Sequence, residues 1–207
     1  MPDPNRERLI AAVELLRPVL GELVFVGGSV THLLVTDEGA GAPRTTLDVD
    51  TITEITSYAA YAAFGERLRE LGFSEDTREG APVCRWVHGR AILDVMPLDE
   101  KVLGFSNKWY PAAMQTATTH QLSPGLEIRV ITAPYFLATK VAAFRNRGID
   151  EVRATEATVQ EYLRTEMTAL LRTSRFIDAL PGHLRPDAAS QARIQTVVNR
   201  MEAIAAR

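Results

Sequence analysis

Two aspartates one residue apart, preceded by a diglycine turn, are the residues of this sequence best suited to chemistry. Asp48 and Asp50 lie in a strand-like run, and strand geometry places side chains at positions i and i+2 on one face. Carboxylates held side by side repel each other unless a cation neutralises them. The turn Gly27-Gly28-Ser29 follows a short apolar strand pattern and leads into a helical pattern. Together these features predict a site for a nucleotide and a divalent metal.

The elements that must position this site follow from the apolar periodicity of the chain. Strand patterns occupy 24–26, 44–52, 83–87, 91–96 and 126–131, and helical patterns occupy 4–17, 30–35, 57–71, 133–145, 155–172 and 187–206. The turn His88-Gly89-Arg90 joins two of the strands as a hairpin. Only helical patterns follow Pro134, so the sequence predicts an α+β domain over 1–132 and a helical domain over 133–207.

Composition excludes several classes of protein. The 207 residues carry a net charge of −3, which argues against a broad basic surface for nucleic acid. A single cysteine, Cys84, excludes an internal disulfide framework. The amino terminus is polar, and no apolar run approaches the roughly 18 residues of a membrane span. We therefore expect a soluble, cytoplasmic protein that does not associate with membranes.

The motifs resemble those of the DNA polymerase β-like nucleotidyltransferase superfamily. The segments that carry the resemblance are Gly27-Gly28-Ser29, Arg44-Thr45-Thr46-Leu47-Asp48-Val49-Asp50, Asp94 on a later strand, and the Lys140 helix that begins at Pro134. The Arg-x-Thr-x-Asp-x-Asp form is most similar to the AbiEii-type toxin branch. The resemblance implies a mixed sheet with flanking helices, followed by a helical bundle. It also implies a toxin of a toxin–antitoxin pair that transfers a nucleotide from an NTP, with the acceptor end of tRNA as the expected target and a cognate antitoxin as a partner.

The residue types suit that chemistry. Asp48, Asp50 and Asp94 would bind Mg²⁺ or Mn²⁺, because carboxylates are the ligands that hard divalent cations prefer. Asp94 would also help to deprotonate the acceptor. The glycines would let the backbone approach the triphosphate, and Ser29 opens a helix whose amino terminus favours anions. Lys140 would contact the triphosphate as a point charge, and Arg44, through its place in the motif, is a further candidate nucleotide-binding residue.

Each of these residues also has a structural interpretation. The diglycine could be a plain turn, and Asp48 and Asp50 could be solvated residues on an exposed strand. Asp94 could lie on a solvent-exposed face of its strand, and Lys140 could be a surface charge. The combination of three acids with the diglycine turn favours the functional interpretation.

One departure from the branch concerns the segment after the lysine helix. Members usually carry an aspartate some two dozen residues past the lysine, whereas here Gly148 is followed almost at once by Asp150 and Glu151, which lie too close to Lys140 to replace it. The sequence therefore predicts a protein that binds Mg²⁺–NTP but transfers the nucleotide slowly, or not at all, compared with a relative that carries the full segment. Two alternatives stay open: a protein of this fold that binds NTP or a partner without turnover, and an enzyme that modifies a small molecule such as an antibiotic.

Overall fold

A computed structural model describes residues 3–36, 44–145, 156–183, 191 and 194–206. The strands are β1 (Leu23–Val26), β2 (Val49–Thr53), β3 (Ser74–Glu75), β4 (Arg85–His88), β5 (Ala91–Pro97), β6 (Thr118–Ser123) and β7 (Leu126–Val130). The helices are α1 (Pro4–Leu15), α2 (Thr31–Leu34), α3 (Tyr58–Glu70), α4 (Glu100–Leu103), α5 (Tyr110–Thr116), α6 (Ala133–Arg145), α7 (Glu156–Leu171), α8 (Ser174–His183) and α9 (Ile194–Ala205). Short 3-10 helices occupy Arg17–Glu22 and Gly28–Val30.

The strands form one seven-stranded mixed sheet in the order β3-β4-β5-β2-β1-β7-β6. β1 runs antiparallel to β2 and parallel to β7, while β2 runs parallel to β5. The other neighbours are antiparallel pairs, including the predicted β4–β5 hairpin. All four residues of β1 are buried, as expected for a strand at the centre of a sheet. The predicted α+β class, with a mixed sheet and a helical carboxy-terminal region, is confirmed.

Helix α1 begins where the sequence predicts. Asp3 accepts a hydrogen bond from the backbone N–H of Asn5 (2.9 Å), and Pro4 occupies the first turn. Leu9 and Val13 are fully buried. The helix thereby gains its stability from tertiary packing of one apolar face.

The predicted strand over 44–52 is too long at its start. β2 begins only at Val49, because the backbone before it is hydrogen-bonded to a side chain rather than to a neighbouring strand. Asn5 Nδ2 donates to the carbonyl of Arg44 (3.0 Å), and Asn5 Oδ1 accepts from the N–H of Thr46 (2.9 Å). Asp48 therefore precedes β2, and only Asp50 lies within it.

Several elements have no counterpart in the sequence prediction. β6 is polar along most of its length and buries only Leu122 among its six residues, so it lacks a clear alternating pattern. β3 has two residues, and α4 and α5 are short. The helix α8, over Ser174–His183, contains Pro181, which disguises its helical character in the sequence.

The contacts divide the chain into two compact units, Met1–Val152 and Arg153–Arg207. The first contains the whole sheet together with α1 to α6, and the second contains α7 to α9. The sequence prediction placed its domain boundary at 132/133, before α6. Among the described residues, no helix is both long and apolar enough to cross a membrane.

Some sequence predictions concern residues outside the described ranges. The loop over 37–43 and the short join at Gly148, with Asp150 and Glu151, are among them. So are residues 187–190, 192 and 193 of the predicted last helix.

Candidate metal and nucleotide site

Three neighbouring strands bring charged residues into one row across the sheet. The parallel register of β2 and β5 pairs Asp50 with Asp94, and the antiparallel register of β4 and β5 pairs Arg85 with Asp94. Directly paired residues project from the same face of a sheet, with Cβ atoms about 5 Å apart. The sheet topology therefore places two acids and one guanidinium side by side.

Asp48 completes a cluster of three carboxylates. One oxygen from each of Asp48, Asp50 and Asp94 lies within 4.8 Å of the others. Asp94 is buried, with 6% of its surface exposed, and the other two aspartates are half-buried. The sequence predicted that these three acids come together, and the structure brings them together. This donor set of carboxylates alone could hold a hard divalent cation such as Mg²⁺ or Mn²⁺.

Gly27 lies against the Asp50 carboxylate. Its φ of 71° and ψ of −161° belong to a region that is essentially restricted to glycine. A β-carbon at this position would lie 1.8 Å from Oδ2 of Asp50, and one on Gly28 would lie 3.3 Å from Cβ of Thr46. In this structure, the diglycine thus lets the backbone approach Asp50 and the loop that carries Asp48.

The environment of Asp50 disfavours its charged form. Burial raises the pKa of this carboxyl to about 6, and the charges of Asp48 and Asp94 add to the increase. The positive charge of Lys140 and a hydrogen bond from the backbone N–H of Gly28 act in the opposite direction. A cation at the cluster would relieve this repulsion, which is the electrostatic property expected of a metal site.

Arg85 is the main residue that the sequence analysis missed. Its Nε donates to Oδ1 of Asp94 (2.8 Å), and its Nη2 donates to Oδ2 of Asp94 (2.8 Å) and to Oδ2 of Asp48 (2.7 Å). These carboxylates raise the pKa of the guanidinium above its ordinary value. The sequence contained a signal for this contact, since a two-residue turn at Gly89-Arg90 pairs His88 with Ala91 and so sets Arg85 opposite Asp94.

A second group of missed residues fixes the loop that carries Asp48. Asn5 is 1% exposed and holds the loop through the two hydrogen bonds described above. Arg8 Nη1 donates to the carbonyl of Thr46 (2.6 Å), and Thr46 Oγ1 donates to Oδ1 of Asp48 (2.6 Å). Helix α1 therefore positions Asp48 through its first two turns, across about 40 residues of sequence.

Lys140 lies on α6, in the same compact unit as the acids. Its side chain is exposed, and Nζ lies 5.7 Å from the centre of the Phe136 ring. Its positive charge offsets part of the rise in the pKa of Asp50. The structure thus places the predicted lysine within electrostatic reach of the cluster.

Within the parts of the chain that the structure describes, two further candidates from the sequence make no hydrogen bond or ion pair with the carboxylates. Ser29 is fully buried, and within the described parts of the chain its Oγ has no hydrogen-bond partner. Arg44 is exposed, and its backbone carbonyl, rather than its side chain, makes the contact with Asn5. Cys84 is 3% exposed, and burial raises the pKa of its thiol to about 12, as for a small buried apolar residue.

Comparisons with known proteins give a distant structural likeness. No family model and no curated protein matches this sequence. Among solved structures, the chain is similar to an antigenic nucleotidyltransferase-like protein from Paracoccidioides brasiliensis, with 16% identity and a TM-score of 0.45 over 93% of each chain. At this identity and TM-score the likeness assigns neither a reaction nor a substrate.

Proposed function

We propose that this protein is a metal-dependent nucleotidyltransferase of the polymerase β-like kind. The observation that carries the proposal is the convergence of Asp48, Asp50 and Asp94, whose oxygens lie within 4.8 Å beside the Gly27-Gly28 turn. Three carboxylates at this spacing repel one another without a cation. Burial, with the charges of Asp48 and Asp94 added to it, raises the pKa of Asp50. Their oxygen-only chemistry fits Mg²⁺ or Mn²⁺.

Nucleotide transfer requires positioning and charge neutralisation more than covalent help from the protein. The acceptor hydroxyl oxygen forms a bond to the α-phosphorus of the NTP, and the bond from that phosphorus to the pyrophosphate breaks. In our proposal one of the carboxylates, with Asp94 as the candidate, accepts the hydroxyl proton. Divalent ions held by the three aspartates would neutralise the phosphate charge. Lys140 would add a positive charge at the triphosphate, and its effect on Asp50 supports a position near the bound nucleotide.

The finer assignment rests on the motif resemblance. We propose that the acceptor is RNA, with the acceptor end of tRNA as the first candidate, and that the protein is the toxin of a toxin–antitoxin pair working in the cytoplasm. The order Gly27-Gly28-Ser29, then Arg44 to Asp50, then Asp94 and Lys140 supports this branch over others. An antitoxin encoded beside it is the partner that this role requires.

One structural observation favours the alternative of binding without turnover. Asp94 is the carboxylate proposed to accept the proton, and Arg85 donates a hydrogen bond to each of its oxygens. As long as these hydrogen bonds persist, Asp94 is a poor proton acceptor. A protein held in this state would bind nucleotide at Asp50 and Lys140 but would turn over slowly.

The decisive experiment incubates the protein with Mg²⁺, each labelled NTP in turn and total tRNA. We expect label in RNA for one NTP, lost on addition of EDTA and in Asp50→Asn. Asp99→Asn is the matched control, because Asp99 caps α4 through the Lys101 N–H and asparagine caps equally well. In a parallel reaction with an antibiotic in place of tRNA, label in the antibiotic together with no label in RNA would identify a small-molecule enzyme. Tight NTP binding without transfer to any acceptor would favour the non-catalytic alternative.

A further inference from the structure

The carboxylate cluster already contains a positive charge supplied by the chain itself. Arg85 makes three hydrogen bonds to Asp48 and Asp94, at 2.7 to 2.8 Å. Its Nη2 lies between Oδ2 of Asp48 and Oδ2 of Asp94, so a single nitrogen joins two of the three predicted ligands. Planar guanidinium groups suit such bridging contacts, whereas a lysine could offer only a point charge.

The three acids differ in their hydrogen-bond donors. Both oxygens of Asp94 and Oδ2 of Asp48 accept from Arg85, and Oδ1 of Asp48 accepts from Thr46 (2.6 Å). Asp50 instead accepts a hydrogen bond from the backbone N–H of Gly28. A divalent ion bound by all three acids must therefore share or replace the contacts of Arg85 at Asp48 and Asp94, but not at Asp50.

The sheet fixes the backbone of Arg85, and the hydrogen bonds to Asp48 and Asp94 hold its guanidinium. The β4–β5 register fixes its Cα opposite Asp94, and 20% of its side chain is exposed. The guanidinium can thus leave the carboxylates by rotation of its stem without any rearrangement of the sheet.

We propose that Arg85 is an internal counter-ion that competes with the divalent cation for Asp48 and Asp94 and thereby sets the metal affinity of the site. The inference rests on the proposed function, since it takes the three aspartates as the metal ligands. It makes Arg85 a positioning residue that keeps the acids together when metal is absent and opposes metal binding electrostatically. Removing a positive charge within a few ångströms of a divalent ion should strengthen binding on the order of tenfold or more, even at the high effective dielectric of a partly exposed site.

The test is a Mn²⁺ titration of the whole chain, followed by the electron paramagnetic resonance signal of free Mn²⁺. We expect Arg85→Gln to bind Mn²⁺ on the order of tenfold more tightly than the unaltered protein. Arg85→Lys, which keeps the charge but loses the fork, should lie between the two. The matched control is Arg67→Gln, which removes an exposed guanidinium paired in the same two-pronged way with Glu22. It should leave Mn²⁺ affinity unchanged.

A second measurement separates this role from a purely structural ion pair. In EDTA, Arg85→Gln should melt at a lower temperature than the unaltered protein, because Asp48 and Asp94 lose their counter-ion. Added Mg²⁺ should then raise its melting temperature more than that of the unaltered protein, since tighter binding to the folded state gives greater stabilisation. A purely structural pair would lower the melting temperature without enhancing the response to Mg²⁺.

The outcomes distinguish this inference from the proposed function. Mn²⁺ binding that is equal or weaker in Arg85→Gln would overturn the role of Arg85 and leave the metal site standing. Should Arg85→Gln not fold, Arg85→Lys decides the matter, and an unchanged affinity in that variant overturns the inference. Absence of Mn²⁺ binding in every variant, even with an NTP present, would overturn the proposed function and this inference with it.

Discussion

Gly27 and Asp50 are in such close contact that a single methyl group at residue 27 would overlap the Asp50 carboxylate. The added carbon would lie 1.8 Å from Oδ2, far inside any van der Waals distance. Gly27 directly follows β1, and Asp50 lies in β2, where it is opposite Val26. The diglycine and the aspartate motif, separate in sequence, are therefore one structural unit.

Gly27→Ala should damage both the fold and the site. Its backbone conformation is unfavourable for alanine by about 1–3 kcal/mol, and the Asp50 carboxylate must move. We expect a corresponding loss in the free energy of unfolding, measured by chemical denaturation, together with weaker Mn²⁺ binding. Gly21→Ala is the control, since a β-carbon there would meet nothing within 4 Å. Normal Mn²⁺ affinity in Gly27→Ala would show that Asp50 is not a metal ligand.

Asp50→Asn should stabilise the metal-free protein at neutral and alkaline pH. The pKa of Asp50 is raised from 3.8 to about 6 in the folded chain. Below pH 3.8 the carboxyl is protonated in both states and costs nothing. Between pH 3.8 and about 6 the unfolded chain loses its proton first, so the stability of the folded protein falls as pH rises, and the full penalty remains above 6. The difference corresponds to a gain of up to about 3 kcal/mol for the asparagine variant.

The measurement for Asp50→Asn is urea denaturation in EDTA at pH 4 and pH 8. The variant should exceed the unaltered protein in stability at pH 8, and by far less at pH 4, where the penalty has only begun to develop. With Mg²⁺ added at pH 8, the advantage should shrink, because the ion stabilises only the protein that binds it. A variant that is less stable at pH 8 in EDTA would mean that Asp50 is not under electrostatic strain.

Lys140→Ala should weaken NTP binding with little change in melting temperature. The side chain is exposed, so its removal costs little packing. Its positive charge nevertheless interacts with Asp50 and so reaches the proposed nucleotide site. Calorimetric titration with NTP and Mg²⁺ should show weaker binding. Lys101→Ala, which removes another exposed lysine, should bind NTP normally. A large loss of stability with unchanged NTP affinity would instead make Lys140 a structural residue.

Asn5→Ala should loosen the loop that carries Asp48. It removes both side-chain hydrogen bonds to that loop, each of which contributes about 0.5–1.5 kcal/mol. We expect lower stability and weaker Mn²⁺ binding together. Ser57→Ala removes the cap of α3, a change worth about 1 kcal/mol, and should lower stability alone. Equal Mn²⁺ affinity in both variants would show that Asp48 is positioned without Asn5.

Local features of the sequence determined the candidate acids and most of the elements that carry them. The cap at Asp3, the helix stop after Glu70 and the hairpin around Gly89 are set by residues a few positions apart, so propensity and periodicity predict them. The same locality explains the misses. β6 carries a weak pattern because it lies at the edge of the sheet. β2 starts later than predicted because Asn5, about 40 residues earlier, takes backbone hydrogen bonds of Arg44 and Thr46 in the segment before it.

Only the tertiary structure decided how the acids meet and what meets them. Asp50 and Asp94 are 44 residues apart, and their contact depends on the parallel pairing of β2 with β5, which no local pattern specifies. The bridge from Arg85 to Asp48 depends on that same pairing, because it joins β4 to the start of β2 across β5. The sequence by itself determined which side chains can do chemistry. The order of the strands in the sheet decided that Arg85 lies beside the acids and binds two of them.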